Sequence, residues 1–164
     1  MKKIFITLCI ALFGLGASAQ TKGEQNIGVH ILYGTDWSNI GFGVKYQNNI
    51  TDAIRLEAVG EYYPETDGYS MFDISINGHY LFPLSDKVIA YPLVGLNYTS
   101  DKQKLGMDDV EEDEDVFENK NSNIGLNFGG GIQYNLTNKF RIGAELNYQL
   151  LNGLNIGVGV TFTL

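Results

Sequence analysis

The chain has 164 residues, 44% of them hydrophobic and 12% aromatic, with 19 acidic against 11 basic side chains and a net charge of −8. That length suits one domain, and the acidic balance excludes nucleic acid as a partner.

Met1-Lys2-Lys3, the apolar stretch Ile4 to Leu15 and Ala17-Ser18-Ala19 have the layout of a secretory signal peptide with an A-x-A cleavage site. The apolar run is shorter than the roughly 20 residues that a helical span needs. Cleavage after Ala19 is therefore expected, dividing the chain into a signal peptide, 1–19, and one mature domain, 20–164. The single cysteine, Cys9, leaves with the signal, because Leu8 stands where a lipoprotein processing site needs a small residue. A cysteine-free mature chain excludes disulfides and thiol chemistry in a compartment that permits them. It keeps nine basic and nineteen acidic residues. No second long apolar run follows, so a membrane span would have to be built from strands closed into a barrel, where every backbone group finds a partner.

From Ile27 onward, apolar residues recur at alternate positions in eight segments. In chain order these are Ile27 to Tyr33, Ile40 to Tyr46, Ile54 to Tyr62, Phe72 to Phe82, Ala90 to Tyr98, Ile124 to Leu136, Phe140 to Leu150 and Leu154 to Leu164. A strand turns successive side chains to opposite faces, so each segment predicts one apolar face and one mixed face. No apolar-face position is charged, as a lipid-facing surface demands, since a charge near the bilayer midplane costs about 2–4 kcal/mol. The opposite parity carries Lys45, Arg55, Glu57, Glu61, Asp73, His79, Arg141 and Glu145, among glycines and amides. The prediction is an all-β, eight-stranded antiparallel up-and-down transmembrane β-barrel, whose even strand count puts both termini on one side.

The connections alternate in character. Gln47 to Asp52, Pro83 to Lys87 and Thr137 to Lys139 are short, rich in turn-forming residues and read as periplasmic. Gly34 to Asn39, Pro64 to Gly68, Ser100 to Asn121 and Leu151 to Gly153 read as extracellular. In Asn152-Gly153 both residues can take positive φ, a hairpin signal. Thr99 to Lys104 and Glu118 to Asn123 could carry the two strands flanking the long loop beyond the membrane as a protruding hairpin. Aromatic girdles are expected from Tyr33, Trp37, Tyr62, Tyr69 and Tyr98 at the outer interface and Tyr46, Tyr80, Phe82, Tyr134 and Phe140 at the inner. Pro92 runs against the pattern, because it cannot donate to a ladder and a closed barrel has no edge to hold it.

The layout, the stretch Tyr91-Pro92-Leu93-Val94-Gly95-Leu96-Asn97-Tyr98 and the ending Val158-Gly159-Val160-Thr161-Phe162-Thr163-Leu164 resemble the small eight-stranded outer-membrane barrels of Gram-negative bacteria, of the OmpA transmembrane domain and OmpX type. The resemblance spans the mature chain and implies an outer-membrane location, among lipid and lipopolysaccharide. It also implies a last strand read by the barrel-assembly machinery, although this chain ends in Leu164 where the family usually ends in Phe. It implies no single activity, since one fold hosts many functions.

The inward charges near balance, so an ion-pair network plugging the lumen is expected, each buried charge needing a partner; a narrow water-filled channel lined by the same groups is the alternative. Asp73, Ser75 and His79 share one inward face, but residues two apart on a strand lie roughly 6–7 Å from one another, too far for the direct hydrogen bonds of a catalytic triad. No enzyme is expected, and His30 reads as an interior hydrogen-bonding residue. The loop carries Asp108, Asp109, Glu111, Glu112, Asp113, Glu114, Asp115 and Glu118. It reads as a solvated acidic surface or as weak oxygen ligands for a divalent cation, without EF-hand spacing. The expected protein is a monomeric, non-enzymatic outer-membrane barrel with a plugged polar lumen and no cofactor beyond such a cation. A narrow porin is the second reading, and a soluble lipocalin-like barrel, apolar inside, is the third.

Overall fold

The apolar parity of each segment faces outward and the polar parity closes around a lumen. The computed structural model of the protein describes residues 21–36, 38–66, 68–104, 118–150 and 152–164. The expected signal segment 1–19, Trp37 and Asp108 to Asp115 lie outside the described residues.

Among the described residues nine strands run in chain order: β1 (Gln25–Gly34), β2 (Asn39–Asn49), β3 (Ile54–Thr66), β4 (Tyr69–Tyr80), β5 (Phe82–Pro83), β6 (Val88–Lys104), β7 (Glu118–Asn135), β8 (Phe140–Gln149) and β9 (Gly153–Thr163). Each pairs antiparallel with its neighbour, and β1 closes on β9 from Asn26↔Thr163 to Gly34↔Asn155. Strands β4 and β5 together make one stave, so the barrel has eight.

Pro92 accounts for the break in that stave. The register runs His79↔Leu93 in β4 and resumes at Phe82↔Ala90 in β5, which puts Pro92 opposite Tyr80. Having no N–H, Pro92 cannot complete that rung. The neighbouring Leu81 amide faces the other side of the stave and continues the β3–β4 register, donating to Ala53 O at 2.8 Å. On its second side Pro92 pairs with Gly130 within an unbroken β6–β7 ladder. A closed barrel thus tolerates the proline by losing one rung.

On the outside, Val44, Ile76, Val94 and Ile124 are each more than 60% exposed, a surface suited to hydrocarbon rather than water. Tyr33, Tyr62 and Tyr98 stand exposed near one rim, and Tyr46, Tyr134 and Phe140 near the other. Tyr69 departs from the expected girdle. It shares parity with Met71 and packs inward against Leu32, Tyr63 and Met71. The strands around the long loop extend as a ribbon, Ser100↔Ser122 through Lys104↔Glu118, so Ser100 to Lys104 and Glu118 to Asn121 are strand rather than loop. Among the described residues of the β8–β9 hairpin only Gly153 takes positive φ, at 78°. Asn152 instead turns its side chain inward and donates to Thr99 Oγ1 at 2.6 Å and Gln149 Oε1 at 2.8 Å.

Candidate functional site

The lumen is layered along the barrel axis. At the end where β1 starts and β9 finishes, Arg141 reaches Glu24 Oε1 and Asn26 Oδ1, both at 2.6 Å. Arg55, fully buried, donates to Asn49 Oδ1 and Gln133 Oε1 at 3.1 Å each and lies 5.9 Å from the centroid of the Tyr91 ring, within cation–π range. Beside this layer Leu81, Ile89, Tyr91 and Leu93 form a buried apolar cluster.

The middle layer is ionic. Glu57 on β3 accepts from Gln47 Nε2 at 2.7 Å and Asn77 Nδ2 at 3.2 Å, its cross-strand neighbours on β2 and β4. Lys45 Nζ lies 3.5 Å from Glu57 and 3.6 Å from Glu145, which comes from β8 across the lumen. Tyr91 donates its hydroxyl to Glu145 Oε2 at 3.0 Å and stacks on the His79 ring at 4.7 Å. His30 pairs with Glu61 at 2.9 Å. Its ring takes the space that a side chain at Gly43 would fill, so small residues in one strand make room for long ones in the next.

Towards the loop end, Asp73 accepts from Ser75 Oγ at 2.7 Å, Asn97 Nδ2 at 3.0 Å and Thr99 Oγ1 at 2.7 Å. Above it Leu32, Tyr63 and Met71 form a second apolar cluster, and Tyr63 donates to Asn155 Oδ1 at 3.0 Å. Between the layers lies a cavity of about 40 Å³, lined among others by His30, Lys45, Glu61, Tyr91 and Glu145.

A model of the outer membrane protein beta-barrel domain matches residues 5–162. The chain belongs to that family. No curated protein matches it. Among solved structures, the N-terminal barrel domain of Pseudomonas aeruginosa OprF is similar with a TM-score of 0.65 and 20% identity, over 88% of this chain and 100% of that one. Neisserial surface protein A is similar at 0.61 and 18%, over 86% of this chain and 95% of that one. Ail of Yersinia pestis is similar at 0.58 and 18%, over 88% and 100%. At these identities the likeness is one of fold, the small outer-membrane barrel. The family locates the chain in the outer membrane, in contact with lipid and lipopolysaccharide.

Within this outer-membrane barrel all eight inward titratable residues singled out above lie on the lumen side. Lys45, Glu57, His79 and Glu145 meet at its centre; Glu61 pairs with His30, Asp73 sits among neutral donors, and Arg55 and Arg141 serve the end where β1 starts. Ser75 and Asp73 do hydrogen-bond, against the spacing argument, because side chains on one strand face can lean together and close the gap between their backbones. His79 takes no part in that pair and lies instead 3.4 Å from Glu57. Tyr91 and Glu24 were missed by the search for charged strand residues. Tyr91 was legible from parity, being flanked by outward Ala90 and Pro92, whereas Glu24 precedes the first segment and gave no signal.

Proposed function

We propose that the chain is a non-enzymatic, monomeric anchor of the outer membrane with a lumen closed to solutes and an acidic loop that works at the cell surface. The observation that carries this reading is how closely the described residues fill the lumen: the cavity lined by His30, Lys45, Glu61, Tyr91 and Glu145 holds about 40 Å³, room for a few waters at most, between two apolar clusters. Residues 1–19 are removed on export, 20–164 form the barrel, and the final strand is the part offered to the assembly machinery. The end where β1 starts and β9 finishes faces the periplasm, which puts the long β6–β7 ribbon outside the cell.

The loop's partners follow from its charge. The Ail protein has been solved in complex with the heparin analogue sucrose octasulfate, a polyanion. A chain with net charge −8 and seven carboxylates between Asp108 and Asp115 has the opposite field and attracts cations or cationic partners. Divalent cations held there would bridge the loop to lipopolysaccharide phosphates. Deleting 107–118 from the folded protein is expected to reduce calcium binding; unchanged binding would end the loop's role. Proteoliposomes carrying the intact protein are expected to release glucose no faster than empty vesicles.

A narrow porin is the second reading. His30 Nδ1, Glu61 Oε2, Asn147 Oδ1 and Asn155 Nδ2, on residues lining the cavity, make no hydrogen bond within the protein, and such groups call for water. Glucose release well above the empty-vesicle rate would establish that reading over the closed anchor.

A further inference from the structure

Glu57, His79 and Glu145 each bring one ligand atom to the lumen centre, all within 4.8 Å of one another. They come from β3, β4 and β8, so the cluster spans the lumen and is not an accident of one strand. His79 is the unexplained member. Its side chain is wholly buried and neither ring nitrogen makes a hydrogen bond; Nε2 points at Glu57 Oε1 from 3.4 Å. Buried imidazoles ordinarily have both nitrogens satisfied, one as donor and one as acceptor. The ring is nevertheless held in place, parallel to Tyr91 within 5°, and the same Tyr91 hydroxyl holds Glu145.

Charge points the same way. The lumen's three basic side chains Lys45, Arg55 and Arg141 face five carboxylates, Glu24, Glu57, Glu61, Asp73 and Glu145. Lys45 is only loosely seated, since 3.5 and 3.6 Å to its carboxylates exceed the roughly 2.7–2.9 Å of a good charge-assisted bond.

We propose that Glu57, His79 and Glu145 form a binding site for a divalent transition-metal cation of the Zn²⁺ type at the centre of the lumen. One imidazole with two carboxylates suits such an ion, and three protein ligands leave a fourth position for water. Tetrahedral coordination wants ligand atoms about 3.3 Å apart, which small side-chain rotations supply. The adjoining cavity, also lined by Glu145, gives the fourth position its room. A divalent ion there offsets the surplus of carboxylates and gives a His79 ring nitrogen the close partner that its 3.4 Å contact with Glu57 does not supply. Lys45 competes with the ion for the same two carboxylates, and Tyr91 is a positioning residue.

The test is a titration of the full protein, folded in detergent, with Co²⁺ as a spectroscopic stand-in for Zn²⁺, each sample checked for folding by its heat-modifiable gel migration. The expected result is one equivalent giving visible d–d bands that Zn²⁺ abolishes. His79→Gln and Glu145→Gln should each weaken binding about a hundredfold, the upper end of what even indirect partners of a bound metal contribute. Lys45→Met should tighten it about tenfold by removing a competing charge. Deletion of 107–118 should leave the bands intact. Absence of bands from the wild-type protein overturns the proposal, whatever the variants do. So do bands that survive both glutamine substitutions, or that vanish with the loop.

Discussion

Glu57 and Asp73 are buried carboxylates on neighbouring strands, and the barrel satisfies them differently. Glu57 sits beside an ammonium, an imidazole and two amides, with Glu145 from the far wall sharing the ammonium. Asp73 has no cation within ion-pair distance among the described residues and is held by Ser75, Asn97 and Thr99 alone. Thr99 is its direct cross-strand neighbour, and Asn97 and Ser75 lie one step along the same two strands. One site depends on a strand from across the lumen, and the other is completed within two adjacent strands. A buried carboxylate is thus met either by a cation on the next strand that also reaches the far wall, as Lys45 reaches Glu145, or by neutral donors supplied by register, and only the first ties opposite walls together.

The comparison can be broken by substitution, with stability read from urea unfolding of the folded barrel. Glu57→Leu, which leaves Lys45, His79 and two amides facing an apolar side chain, should lose about 3–5 kcal/mol, as removal of one partner from a buried pair does. Asp73→Asn keeps the shape but sets an amide N–H₂ against existing donors, and should cost about 2 kcal/mol. Ser75→Ala removes a single hydrogen bond and should cost about 1 kcal/mol. Equal losses at Glu57 and Asp73 would remove the distinction between the two sites. A double-mutant cycle sharpens it: Lys45 with Glu145 should couple across the lumen, and Lys45 with Asp73 should not.

Much of this architecture was legible in the amino-acid pattern, for a physical reason. A strand's period of two makes parity a direct report of facing, and lipid penalises charge on one face severely enough to keep it clean. Parity also gave the inward position of the lumen charges within the eight segments, though not of Glu24, which precedes them. It carries no height and no azimuth, so it could not say that Lys45 would reach Glu145 on β8 or that Arg141 would find Glu24, partners 100 and 117 residues away in sequence. Tyr69 was misjudged because nearness to a strand end was weighed over its parity with Met71 and Asp73. The Ser75–Asp73 bond was missed because backbone spacing bounds the positions of Cα atoms and not of side-chain tips. Pro92 was a true conflict between local rule and fold, resolved by giving up one rung of the ladder.

The most direct test of the closed lumen is single-channel recording of the folded, purified protein in a planar bilayer, with a heat-denatured sample as control. The account predicts no discrete openings from protein that migrates as folded in the gel assay. Reproducible conductance steps that the denatured control lacks would contradict it.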